Sequence, residues 1–88
     1  MPRVASPAAA FIGQRIAGGR LKMGMTQDEI AVISGIDSSN IRSYENGRAM
    51  PSVHTLVRIA FALGIEPGAL LEGVTPALFA EAAQRRAG

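Results

Sequence analysis

Five small or cationic polar residues, Ser38, Ser39, Asn40, Arg42 and Ser43, follow Asp37 with no acid among them. Their common chemistry is hydrogen bonding. A serine hydroxyl satisfies any base edge and so discriminates poorly. Arg42 has the fork for guanine and Asn40 the amide for adenine, each such pair discriminating by about 1–3 kcal/mol. Arg42 suits a phosphate equally well. Catalysis has no comparable set of residues. His54 is the only histidine, sits near the start of a helical pattern and has no cysteine partners. Asp28 and Glu29 are adjacent acids at a helix start, where anions are favoured and where Glu29 has a capping role. Gly18-Gly19 lacks the Lys-Ser/Thr of a phosphate-cradling loop. No catalytic residue, metal site or cofactor is therefore expected.

The elements that must position the polar run can be read from caps and breaks. Thr26 with Glu29 three residues on forms a capping box. The helix it opens places Ile30, Ala31 and Ile33 on one side and ends at Ser34-Gly35, where glycine is free to adopt the left-handed conformation. Asp37 is an N-cap for a second helix through Glu45, with Ile41 and Tyr44 inward at i, i+3 spacing. Asn46-Gly47 stops it. Two short helices, a glycine turn and a polar, non-acidic second face fit a helix-turn-helix.

The string from Thr26 to Arg48, TQDEIAVISGIDSSNIRSYENGR, closely resembles the XRE family, the helix-turn-helix domains of phage repressors and Cro. The matching positions are Thr26, Gln27, Ile30, Ala31, Ser34, Gly35 and Ile36, then Ser38, Ile41, Tyr44, Glu45, Asn46, Gly47 and Arg48. The resemblance implies a recognition helix at about residues 37–45 that enters the DNA major groove. It implies base reading by Ser38, Ser39 and Ser43, flanked by Asn40 and Arg42. Phosphate contacts fall to Thr26, Gln27, Asn46, Gly47 and Arg48. It further implies an ion pair between Arg20 and Glu45 that ties the first helix to the recognition helix. Many related proteins carry longer side chains at positions 38 and 39; with serines there, DNA shape takes a larger share of the specificity.

Elsewhere the chain reads as a small all-α domain. The expected fold is a five-helix, phage-repressor-like bundle with a sixth helix at the C-terminus. Residues 1–6 read as a flexible arm, 7–73 as the DNA-binding domain and 74–88 as a C-terminal helix. Pro7 begins a first helix to about Met23, with Phe11, Ile12, Ile16 and Met23 inward. Within it, Gly18-Gly19 either admits another helix or softens this one. Met25 is placed to staple the next helix near Ile30. Ser52 caps a helix over Val53–Leu63 whose inward stripe is Leu56, Ile59, Ala60 and Leu63. Gly64 ends it, and Pro67 starts a short fifth helix with Leu70 and Leu71 inward. Thr75-Pro76 restarts a sixth. Its Leu78, Phe79 and Ala82 are candidate dimer contacts, the alternatives being packing on its own domain or a frayed tail.

At 88 residues, with 48% apolar residues and no cysteine, one domain without disulfide or thiolate metal support is expected. The net charge of +2 is concentrated in residues 1–58, where seven Lys/Arg face four acids. That is the end a phosphate backbone would attract. There is no apolar run of membrane-spanning length and no continuous signal-type core, so a cytoplasmic protein is expected. The functional expectation is a sequence-specific transcriptional regulator on double-stranded DNA, acting as a homodimer on a palindromic or near-palindromic site, with no small-molecule ligand. The alternatives are a DNA-binding antitoxin paired with a toxin, or a protein-interaction module on the same fold. In both, a partner protein joins or replaces the DNA.

Overall fold

The computed structural model describes residues 6–79. Four α-helices follow in order: α1 Pro7–Lys22, α2 Gln27–Ser34, α3 Ser38–Glu45 and α4 Val53–Leu63. Two 3-10 turns, Pro67–Leu70 and Pro76–Phe79, complete the described chain. The expected fifth helix and the start of the sixth are thus single 3-10 turns. The first has only four residues before the chain turns again at Leu71–Gly73, too few for the costly first turn of an α-helix to propagate. Ala82 and the rest of the proposed sixth helix lie outside the described residues, as do residues 1–5 of the proposed arm. Ser6 is described, and its side chain caps α1 by accepting from the Ala9 N–H at 3.0 Å.

Local chemistry explains the helix ends. Thr26 Oγ1 accepts from the Glu29 N–H at 3.0 Å, and Glu29 Oε1 accepts from the Thr26 N–H at 2.7 Å. Ser52 caps α4 through the Thr55 N–H at 3.1 Å. α2 and α4 both end on a left-handed glycine, Gly35 at φ 73° and Gly64 at φ 70°. A residue with a Cβ would be strained at either position.

The core is one cluster: Ile12 and Ile16 of α1, Ile30 and Ala31 of α2, Ile36, Ile41 of α3, Leu56, Ile59, Ala60 and Leu63 of α4, and Leu70. Met25 and Tyr44 pack at its margin. α1 lies on α3, and α2 sits between α3 and α4. Three inward assignments do not hold. Met23 is 55% exposed because α1 ends at Lys22 and the chain turns outward at its C-cap. Ile33 is 58% exposed because the buried arc of α2 runs through Ile30, Ala31 and Ser34 and leaves Ile33 off its edge. Leu71 is exposed because it follows the 3-10 turn whose Leu70 alone fills the core.

The C-terminal connection returns over α1. The second 3-10 turn packs on α1. Arg15 reaches Glu72 at 3.6 Å and lies 5.0 Å above the Phe11 ring.

Candidate nucleic-acid interface

Three helices meet at one carboxylate. Arg20 of α1 donates Nε–H to Glu45 Oε2 at 2.7 Å and Nη2–H to Glu45 Oε1 at 3.0 Å, a bidentate pair. The two side chains are 13% and 5% exposed. Arg20 Nη1 also donates to the Met25 carbonyl at 2.9 Å, just before the cap of α2. The bonds to Glu45 raise the Arg20 pKa further. Gln27, at the first position of α2, donates Nε2–H to Glu45 Oε1 at 3.0 Å. Its amide, assigned to phosphate by resemblance, therefore has a structural partner on α3.

A backbone approach reinforces this hub. A Cβ at Gly13 would collide with the Tyr44 carbonyl oxygen, and one at Gly47 would lie 2.8 Å from Ala10 Cα. α1 thus crosses the last turn of α3 at backbone distance. Gly47 is buried, with φ 73°, so it serves as helix stop and crossing point together.

The other end of α3 follows the turn. Asp37 Oδ1 accepts from the Ser39 N–H at 2.9 Å and the Ser39 hydroxyl at 2.8 Å. These two bonds, backbone first, hold the Asp37 carboxyl below its ordinary pKa, with the Arg42 charge assisting. Along α3, Ser39, Asn40 and Arg42 are exposed, whereas Ser38 and Ser43 are half-buried. Arg42 leans along the helix, 3.5 Å from Ser38 Oγ and 4.0 Å from Asp28 Oδ1. Thr26, Asn46 and Arg48 are exposed beside the two ends of this face. His54 is exposed on α4, and among the described residues no three His, Cys, Asp or Glu gather as metal ligands would.

The sequence pattern of the helix-turn-helix family HTH_3 matches residues 17–70, more than half of the chain. The chain belongs to this helix-turn-helix family. It is 38% identical over 66 residues to an uncharacterized HTH-type transcriptional regulator, y4dJ, of Sinorhizobium fredii, covering 75% of this chain and 82% of that protein. It is 37% identical over 54 residues to the cryptic phage CTXphi transcriptional repressor RstR of Vibrio cholerae, covering 61% of this chain and 48% of the repressor. Of another relative it spans as little as 36% of the length. The crystal structure of the restriction-modification controller protein C.AhdI from Aeromonas hydrophila superposes with a TM-score of 0.69 at 34% identity, over 70% of this chain and 94% of that one.

Two residues that hold the helix-turn-helix from α1 and α4 were not singled out from sequence for what they do. Gly13 falls between Ala9 and Ile16 on the buried side of α1, and a glycine on an inward stripe is itself a signal of close approach. Arg58 of α4 donates Nε–H to the Ser34 carbonyl at 3.0 Å and Nη2–H to the Gly35 carbonyl at 2.9 Å. The available signal was that α2 has no basic residue in its last turn, although its terminal carbonyls need donors.

Proposed function

We propose that this helix-turn-helix protein is a sequence-specific transcriptional regulator that lays α3 in the DNA major groove. The observation that carries the reading is the α3 face. Ser39, Asn40 and Arg42 are exposed and polar, while the far side of the helix is fixed to α1 and α2 through Glu45. A rigid helix offering small hydrogen-bonding side chains fits base edges without steric obstruction. Ser38, Ser39 and Ser43, with Asn40 and Arg42, read bases. Thr26, Asn46 and Arg48 hold phosphates, and Gln27 does so through the first-turn backbone N–H groups of α2 rather than its committed amide. Gly47, assigned to phosphate by resemblance, is buried against Ala10 and donates its N–H to the Tyr44 carbonyl at 3.1 Å, so its part is to place Arg48.

The reading extends to a homodimer on a palindromic or near-palindromic operator, recognition helices about 34–36 Å apart. Residues 7–73 form the DNA-binding unit and 74–88 the pairing element. Phe79, 54% exposed, supports that role, whereas Leu78 is half-buried in a turn that packs on α1 of its own domain. Ala82, the third contact, lies outside the described residues. The names of several relatives support transcriptional control, and a cytoplasmic location is part of the same reading.

The test is selection from random duplexes with purified protein, followed by fluorescence anisotropy on the selected sequence and on a scrambled one. Preference for the selected duplex at moderate salt is the expected result. Equal binding to both removes sequence-specific control.

A further inference from the structure

Arg58 belongs to the basic part of the chain, yet its guanidinium is held along the surface of the α2–α3 turn. Its Nε and Nη2 take the carbonyls of two consecutive residues, Ser34 at 3.0 Å and Gly35 at 2.9 Å. These are the last residue of α2 and the first of the turn that leads to α3. A cation there also faces the negative end of α2. The turn is shaped around it. A Cβ at Gly35 would displace the Arg58 guanidinium from its place, and the φ of 73° independently calls for glycine. Ser34 completes the arrangement: its buried hydroxyl donates to the Ala31 carbonyl at 3.4 Å and accepts from the Ile36 N–H at 3.3 Å.

We propose that Arg58 is a specificity-determining positioning residue: from α4 it clamps the α2–α3 turn and so sets the tilt of the recognition helix, without touching DNA. The inference rests on the DNA-reading role of α3. Glu45 anchors the C-terminal end of α3 to α1 and α2, and Arg58 anchors the approach to its N-terminal end. Between Gly35 and Ser38 only Ile36, buried in the core, and the capping Asp37 intervene. Releasing two turn carbonyls lets α3 pivot about Glu45. Base contacts need each side chain within hydrogen-bond reach and lose strength steeply when displaced, whereas phosphate attraction tolerates such a movement. A lysine cannot reproduce the clamp, because one ammonium does not span two carbonyls as a planar fork does.

The experiment compares wild type, Arg58→Lys and Arg58→Met, all as full chains, on the selected and scrambled duplexes across a salt series. Both variants are expected to keep the random-duplex affinity and salt slope of wild type while losing at least tenfold on the selected duplex. A parallel fall on both duplexes with a slope reduced by about one unit would make Arg58 a phosphate contact and overturn the inference. Unchanged preference overturns it too.

Amide hydrogen exchange without DNA separates this result from the wider functional reading. Exchange at Ile36, Asn40 and Ile41 should quicken at least tenfold in the variants, with core amides of α1 and α4 unchanged. If those three amides keep wild-type protection, or all amides weaken together, there is no local clamp. If wild type shows no duplex preference while the exchange pattern appears, the clamp stands as a feature of the turn and the regulator reading fails, along with the specificity assigned to Arg58.

Discussion

Glu45 accepts three hydrogen bonds from residues of two other helices while only 5% of its side chain meets solvent. Removing one member of such a set leaves a buried charge short of its partner. Arg20→Ala is therefore expected to cost about 3–5 kcal/mol in urea unfolding, against about 1 kcal/mol or less for an exposed pair. A shift below 1 kcal/mol would mean that the carboxylate finds water. Asp37 gives a pH signature of the opposite, exposed kind. Its folded pKa is lowered from the ordinary 3.8, first by the Ser39 backbone bond and then by the Ser39 hydroxyl. The unfolded chain thus binds the proton more readily. The stabilisation is fully present above the unfolded pKa and disappears as pH falls through the folded value. Asp37→Asn keeps a good cap without the titration. Plotted against pH, the difference in urea midpoint between wild type and this variant should be flat near neutrality and drift only below about pH 4. A difference that does not change in acid refutes the assignment.

At the scale of elements, the glycines of α1 sort by what faces them. Gly13 lies against the Tyr44 and Glu45 carbonyls, Gly19 has Leu63 Cδ1 at 3.1 Å from a Cβ position, and Gly18 faces open space. Gly18→Ala should stabilise by about 0.5–1 kcal/mol through helix propensity alone. Gly13→Ala should destabilise by about 1–3 kcal/mol or more, since two backbone carbonyls cannot move aside as a side chain can. Thermal melts of the two variants should move in opposite directions; a common sign would contradict the crossing of α1 over α3. For Gly18-Gly19, the alternatives of helix approach and a soft helix apply to different residues: Gly19 meets α4 and Gly18 meets nothing. Helix starts and stops were legible because each depends on residues within three or four positions. The stripe of α4 was legible too, since all four of its inward residues are buried. Met23, Ile33 and Leu71 were misjudged for one reason. Each is apolar at or just past the end of its element, where burial depends on what packs alongside.

For the whole molecule, the predictions concern charge and assembly. Arg48 is exposed just beyond α3, so Arg48→Ala should reduce the slope of log affinity against log salt by about one unit and weaken selected and random duplexes alike. A loss confined to the selected duplex would make Arg48 a base reader. Phe79→Ser should shift sedimentation equilibrium toward monomer if the C-terminal segment pairs two copies; a dimer that persists unchanged puts self-association on another surface. The sequence by itself determined the caps, the left-handed glycine stops, the order of four α-helices and the polar character of α3, because these follow from local hydrogen bonding and steric freedom. Only the tertiary structure decided that Gln27 commits its amide to Glu45, that Arg58 holds the turn, and that Gly13 and Gly47 let α1 meet α3. Those contacts join groups 18 to 37 positions apart. Spacing along the chain cannot encode such meetings; the packing of helices across the core creates them.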